Sequence, residues 1–469
     1  MPHPLTDTAV GARLDRAPWQ RVHTTILLAL GAGWLFDSFE VQLFSSAIGP
    51  LGDHFHASVF QRDAVLAVWL GGILIGAVAG GRLADRFGRR RLFVLTLLWY
   101  AGFTVLTGLS PALAFVYGFR FLAALGVGAE YAIINAAIAE FMPARVRGKA
   151  NAFVINFWPA GAIAAALLAY LALDTLALSD TVSWRYMFVL GGLLALVVLY
   201  FRRRIPESPR WLLARGRAAE AEQVLRSLEA GGAAAIGVDG SAVPAAPRNG
   251  SAFAELMRNY KGRLVLGSLL DLAEAFGFYG LFALLSVIVL PKISLSQAGI
   301  PVFYLIGSIG ALAGGLLMAS LFDRVGHRRM VTGCYLLAAL GIAGLAWATA
   351  SGSAVWVTVA FVVASAFSTA AWTSAYPTFT ELFPTHLRGA GVGTCVAIGR
   401  VGAIVGTFAL PSIATALGAT ASYVLVAVFW LIGAATMTAY TLRGGAEGSR
   451  RSLETLAPRQ QASTLVAVA

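Results

Sequence analysis

Charged residues are scarce in this 469-residue sequence. Asp, Glu, Lys and Arg make up only 12% of it, whereas 58% of the residues are hydrophobic and the mean hydropathy is +0.75. A soluble domain carries about 25% charged residues, and a chain of this size cannot enclose so much apolar side chain in one soluble core. The composition therefore excludes an ordinary soluble domain and indicates a protein of the lipid bilayer.

Ligands for metals and motifs for nucleotides are also scarce. Two cysteines, Cys334 and Cys395, both fall in apolar stretches, and the six histidines show no ligand spacing, so neither a disulfide framework nor a metal site is expected. Gly126-x-Gly128 lies in a hydrophobic stretch without the strand-to-helix context of a nucleotide loop, and the Gly-Lys-Ser/Thr phosphate motif is missing. We therefore expect no cofactor, no ATP-driven step and no enzyme activity.

What the sequence has instead is a series of apolar stretches, each long enough to cross a bilayer, which takes about 20 residues. They predict an all-α membrane protein with twelve transmembrane helices at 24–50, 62–84, 92–109, 112–141, 147–173, 184–203, 264–290, 299–322, 328–349, 353–383, 388–417 and 420–441. Because 1–23 is polar and the first apolar stretch runs directly into a full span, no cleavable signal peptide is expected.

The formal charge of +12 is concentrated in alternate loops. Arginines and one lysine occupy the loops between spans two and three, four and five, eight and nine, and ten and eleven, at Arg86, Arg89, Arg90, Arg91, Arg145, Arg147, Lys149, Arg324, Arg328, Arg329 and Arg388. The other loops are nearly bare of basic residues. By the positive-inside rule, we expect both termini in the cytoplasm of a multi-pass cell-membrane protein, here the bacterial inner membrane, and no nucleic-acid partner.

The chain also repeats itself after about half its length. The segment at 81–90 recurs in reduced form at 320–329, and Glu140 to Arg147 recurs as Glu381 to Arg388. A parallel repeat of six spans is a transporter architecture with its solute site between the halves. The predicted organisation is an N-terminus at 1–23, a first half at 24–203, a cytoplasmic linker at 204–262, a second half at 264–441 and a C-terminal tail at 442–469. Short helices are expected at 217–229 and 251–260, and disorder at 231–250.

The repeated loops resemble the major facilitator superfamily. The segment at 81–90 fits its signature Gly-x-Leu-Ala-Asp-Arg-x-Gly-Arg-Arg, and the Pro-Glu-Ser-Pro-Arg-Trp-Leu run at 206–212 is similar to the sugar-porter and metabolite-symporter branch. Sugar porters carry paired glutamines in span seven and another in span five; here Asp271, Glu274 and Asn156 stand in those regions, which argues against a hexose. Arg400, in a Gly-Arg-Val-Gly run, is similar to organic-ion and aromatic-acid relatives.

The arginine-rich loops have the chemistry of a gate. Gly81 and Gly88 permit close backbone approach and a tight turn, Asp85 suits a helix N-terminus, and the arginines are expected to pair with Glu140, closing the cytoplasmic side in one state and opening it in the other. The predicted cytoplasmic gate is Gly81, Asp85, Arg86, Gly88, Arg89, Glu140, Arg147, Asp323, Arg324, Glu381 and Arg388. For Arg91 and Arg329 the positive-inside rule is explanation enough.

Ionisable residues inside the spans are the sharpest functional signal, because each is costly in hydrocarbon unless paired, hydrated or protonated. The acids are Asp37, Glu40, Glu130, Asp271 and Glu274, and the bases are Arg120 and Arg400. Since five acids face two bases, at least one acid is expected to carry a proton. The resemblance places Glu40 where sugar porters keep a coupling Asp, so Asp37, Glu40 and Arg120 are the predicted proton-coupling set. The alternative is a fixed structural ion pair.

Arg400 lies about 18 Å along the helix from Arg388, near midplane. Its planar guanidinium suits a carboxylate. The predicted substrate-binding residues are Arg400, Asp271, Glu274, Asn156, Trp158, Tyr279, Trp372 and Tyr376. The alternative is that Arg400 pairs permanently with Asp271 or Glu274.

Together these features predict a monomeric secondary transporter that takes up a small organic metabolite, an organic or aromatic acid, with protons by alternating access. Its partners are the solute, protons and lipid. A proton/drug efflux antiporter, a symporter of a sugar or organic cation, and a transporter-shaped sensor are the alternatives.

Overall fold

The computed structural model describes residues 6–171, 179–203, 205–229, 252–285, 289–290, 293, 299–384 and 387–445. Throughout these ranges the regular structure is helical. The helices are α1 Asp7–Arg16, α2 Arg21–His54, α3 Val59–Phe87, α4 Arg89–Gly108, α5 Leu113–Phe141, α6 Arg147–Ile155, α7 Phe157–Tyr170, α8 Asp180–Arg202, α9 Pro209–Ala214, α10 Ala218–Glu229, α11 Ala252–Asn259, α12 Lys261–Leu284, α13 Gly299–Val325, α14 His327–Ser351, α15 Ala354–Leu382, α16 Arg388–Leu417 and α17 Ala419–Leu442.

Among the described residues, twelve helical segments are long and apolar enough to cross a bilayer. They are α2 to α5, α6 and α7 taken together, α8, and α12 to α17. Large apolar side chains such as Leu340, Trp347 and Leu317 lie exposed on the outside of the bundle, each more than 60% accessible. This outward apolar surface is what lipid requires. The predicted all-α fold with twelve spans is confirmed.

The fifth span differs from the prediction of one continuous helix. It breaks at Asn156, where the backbone angles are φ −67° and ψ −6°. Pro159 explains the break, because proline has no N–H to donate to the carbonyl of Ile155, four residues earlier, and its ring clashes with that carbonyl. The side-chain amide of Asn156 donates to the Ala152 carbonyl oxygen at 2.8 Å, beside the backbone N–H of the same residue at 3.2 Å.

Helix packing in the first six spans recurs in the last six. In the first set α3 and α4 pack on α5, α8 packs on α4 and α2, and α7 packs on α2. In the second set α13 and α14 pack on α15, α17 packs on α14 and α12, and α16 packs on α12. The two sets meet where α3 crosses α16 and where α6 and α7 cross α13. We call them the N-terminal and C-terminal halves.

Glycines allow the closest of these crossings. A Cβ atom built on Gly81 of α3 would lie 2.6 Å from the carbonyl oxygen of Gly389 in α16. A Cβ atom built on Gly315 of α13 would lie 1.9 Å from Oδ1 of Asn156. A larger residue at Gly81 would force the two backbones apart, and one at Gly315 would displace the Asn156 side chain. The halves are therefore in backbone contact at the Gly81 crossing, and the backbone of Gly315 meets a side chain of the other half.

Short helices outside the spans form a cluster at the end of the bundle where α3, α5, α13 and α15 end. We call this the basic end. Arg13 of α1 makes ion pairs with Glu222 and Glu229 of α10, at 2.5 and 2.6 Å. The same arginine, together with Arg226, lowers the pKa of Glu222. The predicted linker helices correspond to α10 and α11, whereas α1 was not predicted. The segment expected to be disordered, 231–250, lies outside the described residues.

Candidate functional site

A buried arginine stands among aromatic rings between the halves. Arg400 of α16 is fully buried, and its guanidinium donates to the hydroxyl oxygens of Tyr279 at 3.0 Å and Tyr376 at 3.5 Å. The rings of Tyr131, Tyr279 and Trp372 lie 5.6, 5.4 and 5.4 Å from its central carbon. Tyr131 belongs to the N-terminal half and the others to the C-terminal half, so this arginine contacts both.

The rings around Arg400 continue as a connected set, which we call the aromatic box: Trp34, Tyr131, Trp158, Tyr279, Trp372 and Tyr376. Trp34 stacks on Tyr131 at 5.0 Å, and Trp158 and Trp372 lie near parallel at 6.4 Å. A narrow cleft with free space for about one water molecule adjoins the box and is lined by Ile155, Trp158, Phe278, Thr369 and Trp372. Flat, apolar walls with one charged group suit a small ring-bearing ligand.

Asp271 of α12 is the acid nearest to Arg400. Its Oδ2 atom lies 3.9 Å from Nη2 of Arg400, and both side chains are fully buried. Neither Asp271 oxygen accepts a hydrogen bond from an N–H or hydroxyl group of the described residues. This contact is therefore an electrostatic approach without a hydrogen bond.

The other predicted binding residues lie outside the box. Glu274 accepts a hydrogen bond of 2.8 Å from the hydroxyl of Tyr335 in α14 and so lies inside the C-terminal half. Asn156 faces Gly315 at the helix crossing described above. The structure thus brings Arg400, Asp271, Tyr279, Trp372, Tyr376 and Trp158 together and leaves Glu274 and Asn156 at their margin.

A second buried ion pair joins spans one and four. Oε1 of Glu40 lies 2.6 Å from Nη1 of Arg120, and the hydroxyl of Thr104 donates to the same oxygen at 2.5 Å. The Arg120 guanidinium also lies over the rings of Phe44, Trp69 and Phe188. Two members of the predicted proton-coupling set are therefore in direct contact.

The third member, Asp37, does not join that pair directly. It is fully buried near Tyr100, Glu40 and Arg202. Its carboxylate makes no hydrogen bond within 3.5 Å to the described part of the chain.

A third buried base, Arg202, must be added to the two bases that were predicted to face five acids inside the spans. Arg202, at the end of α8, is buried and pairs with both carboxylate oxygens of Glu130, as well as donating to the Phe93 carbonyl oxygen at 3.1 Å. Its position at the end of a predicted span concealed this role. Glu130 is thereby neutralised. Among the described residues this leaves Asp37 and Glu274 without an ion pair to an arginine, while Asp271 approaches Arg400 at 3.9 Å.

Comparison with known proteins assigns the chain to a family. Residues 40–457 match the family described as Sugar (and other) transporter. The chain belongs to this family. The match spans most of the sequence, including both halves and the Arg400 site, and the resemblance to the major facilitator superfamily is confirmed.

Three relatives of this transporter come from bacteria. It is 29% identical over 399 residues to the niacin transporter of Acinetobacter baylyi, covering 84% of this chain and 88% of that protein. It is 29% identical over 439 residues to a putative metabolite transport protein of Bacillus subtilis, covering 92% and 94%. It is 27% identical over 402 residues to a probable 4-methylmuconolactone transporter of Cupriavidus pinatubonensis, covering 84% and 86%.

Among solved structures, this transporter superposes on a proton:xylose symporter bound to 6-bromo-6-deoxy-D-glucose. The TM-score is 0.77 at 19% identity, and the match covers 93% of this chain and 98% of that chain. At this identity the likeness shows a shared fold. The chain is therefore a multi-pass membrane transporter with the architecture of the superfamily.

The basic end of the transporter carries matched ion pairs in its two halves. Arg89 of α4 lies 2.9 Å from Glu140, and His327 of α14 lies 2.9 Å from Glu381. Arg89 and His327 occupy equivalent positions of the repeat, each directly after a glycine with positive φ, Gly88 at 92° and Gly326 at 94°. His327 was not among the predicted gate residues, although the repeat pointed to its position.

The remaining predicted gate residues are distributed around these pairs. Arg147 reaches Asp15 at 3.1 Å, and Arg388 donates to the Thr380 carbonyl oxygen at 2.9 Å. Arg86 and Arg324 are exposed. The side chains of Asp85 and Asp323 lie outside the described residues.

An acid that the sequence did not single out lies at the start of α4. Glu207 accepts hydrogen bonds from the backbone N–H groups of Arg89 at 2.8 Å and Arg90 at 3.3 Å. A carboxylate at a helix N-terminus interacts favourably with the helix dipole. This acid links the segment after α8 to the loop between spans two and three.

The Glu130–Arg202 pair gives a stability prediction. Replacing Arg202 with Met leaves Glu130 buried and uncompensated, which is expected to lower stability by about 3–5 kcal/mol and the apparent Tm by several degrees. The paired variant Glu130→Gln, Arg202→Met should recover most of the loss. Thermal unfolding in detergent measures both.

The matched control is Arg62→Met, because its partner Asp53 is 60% exposed and exposed pairs contribute only about 0.2–1 kcal/mol. Equal losses in Arg202→Met and Arg62→Met would contradict a structural role for the buried pair.

Proposed function

We propose that this transporter takes up a small ring-bearing organic anion together with protons, by alternating access. The observation that carries the proposal is Arg400, a fully buried guanidinium at the contact between the halves with an aromatic box around it. A charge at such depth is expensive to maintain. A solute carboxylate that binds there would offset the charge at the point where alternating access requires the solute to be held.

The lining supports an aromatic or cyclic acid. A guanidinium offers planar donors that match a carboxylate, and indole and phenol rings offer flat faces to a ring. Two of the relatives named above are called a niacin transporter and a probable 4-methylmuconolactone transporter; both names denote small cyclic acids or lactones. Sugar hydroxyls would instead need amides, and Asn156 lies at the margin of the box, where its Nδ2 donates to the Ala152 carbonyl oxygen.

Proton coupling is proposed for Glu40. Protonation of Glu40 would remove its charge from Arg120, and the pair would then separate, which gives two states that differ in one proton. The fold shared with a proton:xylose symporter is compatible with this role. At 19% identity the solute and the coupling ion of that symporter cannot be assigned to this chain. The support for proton coupling therefore comes from the buried Glu40–Arg120 pair.

The basic end is proposed to face the cytoplasm of the bacterial inner membrane, with both termini on that side and the chain acting as a monomer. The placement of arginines supports this orientation. The Arg89–Glu140 and His327–Glu381 pairs, with the Gly81–Gly389 crossing, would then hold the cytoplasmic side closed and separate when it opens.

The experiment is a flux panel in proteoliposomes of purified protein. Radiolabelled nicotinate, benzoate, nicotinamide, xylose and tetraphenylphosphonium are each offered with and without an acidic exterior. We expect the two carboxylates to accumulate under the gradient and a protonophore to stop them. Nicotinamide, which lacks the charge, should bind about tenfold to a hundredfold more weakly.

Accumulation of xylose or of the organic cation in place of the acids would overturn the proposal in favour of a sugar or cation symporter. Extrusion of tetraphenylphosphonium against the gradient would favour an efflux antiporter. Ligand binding without flux would favour a sensor.

A further inference from the structure

The contact between Asp271 and Arg400 is incomplete on both sides. The two groups approach at 3.9 Å without a hydrogen bond, and both are fully buried. Among the residues the structure describes, the Asp271 oxygens accept no hydrogen bond from an N–H or hydroxyl group, and the Nε hydrogen of Arg400 has no acceptor; the close neighbour of Asp271 on its own helix is another carboxyl group, that of Glu274. Buried ionic groups are stable only when their hydrogen bonds are satisfied. This pair is therefore poorly suited to a permanent structural role.

Gly399, the residue before Arg400, leaves the space that the Asp271 carboxylate occupies. A Cβ atom on Gly399 would lie 1.5 Å from Oδ2 of Asp271, so the carboxylate rests against the α16 backbone in a space that only glycine leaves open. From there Oδ2 lies 3.9 Å from Nη2 of the guanidinium. The carboxylate acts as a counter-charge beside the site without filling it.

A solute carboxylate in the box would find better donors. Tyr279 and Tyr376 accept hydrogen bonds from Arg400, and since a guanidinium only donates, each phenol keeps its own hydrogen to give to an anion. The solute would also have the free Nε hydrogen within reach. Two carboxylates and one guanidinium cannot all remain ionised in a dry site.

We infer that Asp271 is the exchangeable counter-ion of Arg400, and that it takes up one proton from water when a solute carboxylate takes its place. The charge of the site is conserved: one carboxylate and one guanidinium are ionised before binding, and the solute and the same guanidinium after it. The C-terminal half then binds a proton with each anion, separately from Glu40. This inference rests on the proposed function, because it requires the solute to be an anion held by Arg400.

The other groups that act on Asp271 define the controls. Its ionisable surroundings comprise Glu274 and Tyr279 on α12, Tyr335 on α14, Tyr376 on α15, and Cys395 and Arg400 on α16. Glu274 is the other carboxyl group of this set, and it already has the Tyr335 hydroxyl as a donor. It is the rival carrier of the proton and lies one helical turn away.

The test measures how nicotinate affinity depends on pH. Binding to purified protein in detergent is followed from pH 6 to 9, where nicotinate itself stays ionised, by radioligand binding. Where Asp271 is ionised in the free protein, uptake of one proton per anion raises Kd about tenfold per pH unit. The sign is fixed, since protons and anion enter together: affinity falls as pH rises. Asp271→Asn should remove the slope and hold the tight Kd to high pH.

Two matched variants should retain the wild-type slope: Glu274→Gln on the same helix and Asp53→Asn on the exposed pair with Arg62. A wild-type slope in Asp271→Asn, or its loss in Glu274→Gln, would overturn the assignment. A measurement on the unaltered protein protects the test against a misfolded variant. Calorimetry in buffers of different ionisation enthalpy should show about one proton taken up per anion where Asp271 is ionised in the free protein. If no proton is taken up at any pH from 6 to 9, the assignment of Asp271 is also overturned.

The two proposals fail in different ways. If nicotinate and benzoate bind with an affinity independent of pH, the counter-ion exchange is wrong and the anion site at Arg400 stands. If neither carboxylate binds at any pH, while another class of the panel is transported, both are wrong.

Discussion

Replacing Arg400 with Ala is expected to abolish measurable binding of nicotinate and its uptake into proteoliposomes. Removing one partner of a buried, hydrogen-bonded charge pair costs about 2–5 kcal/mol, which corresponds to about thirtyfold to several thousandfold in Kd. Arg400→Lys keeps the charge and loses the planar pair of donors, as well as the phenol contacts at 3.0 and 3.5 Å, so an intermediate loss is expected. Radioligand binding at pH 6 measures all three proteins.

The control for this experiment addresses Asp271. In Arg400→Ala the aspartate loses its counter-charge, and a fall in stability would then mimic a fall in binding. The paired variant Arg400→Ala, Asp271→Asn removes both charges and should fold while still failing to bind. Retained affinity for nicotinate in the paired variant would instead support the reading in which Arg400 and Asp271 form a structural pair and the solute binds elsewhere.

Replacing Glu40 with Gln is expected to abolish accumulation against a gradient while exchange of labelled for unlabelled solute continues. Glutamine keeps the shape of the side chain and can still accept from Arg120 and Thr104, but it cannot gain or lose a proton. For each coupled proton a gradient of one pH unit drives about tenfold accumulation, because one unit corresponds to about 1.36 kcal/mol. In Glu40→Gln, vesicles without internal solute should show no net uptake, whereas vesicles preloaded with unlabelled solute should still take up label by exchange.

This expectation is compatible with a second proton at Asp271. That proton would enter and leave with the anion, so it would move in both directions during exchange. Net uptake also requires the empty protein to return, and Glu40 is proposed to govern that step by releasing its proton and pairing again with Arg120. Asp53→Asn, on the exposed pair with Arg62, is the matched control and should accumulate solute normally. Undiminished accumulation in Glu40→Gln would leave the buried pair with a structural role alone.

The fold was predictable because its signals are local. A bilayer requires long apolar stretches, and these can be read residue by residue, as can the arginines that mark one end. The repeat also indicated which ends correspond. The break in the fifth span also had a local signal, Pro159. It was missed because the apolar stretch was judged only by its length.

The site was predictable only in part, for a physical reason. Arg400 and its acids stood out because charge is rare in a span, whereas Trp34 and Tyr131 looked like any other aromatic residues in a membrane protein. Which face of a helix meets the partner half depends on packing between residues far apart in the chain. Arg202 was missed for a related reason, since only the fold shows how deeply a residue near a span end is buried.

The N-terminal helix was missed because its partners are distant in sequence. Arg13 pairs with acids 209 and 216 positions away, and no local pattern reports such a distance. Its only local signal was Thr6, whose hydroxyl accepts from the backbone N–H of Ala9 as a helix cap.

The contacts of α1 bear on how the segment between the two halves moves during transport. Arg13 of α1 pairs with α10, so we expect the first part of the middle segment to move with spans one to six. Helix α11 packs on α12 and α16, so we expect it to move with the C-terminal half. The tether between the two bodies is thus the chain from 230 to 251. At about 3.3 Å per residue it can reach on the order of 70 Å, which is far longer than any swing across a bilayer requires. The limits of the proposed rocking motion are therefore set by helix crossings such as that of Gly81 and Gly389.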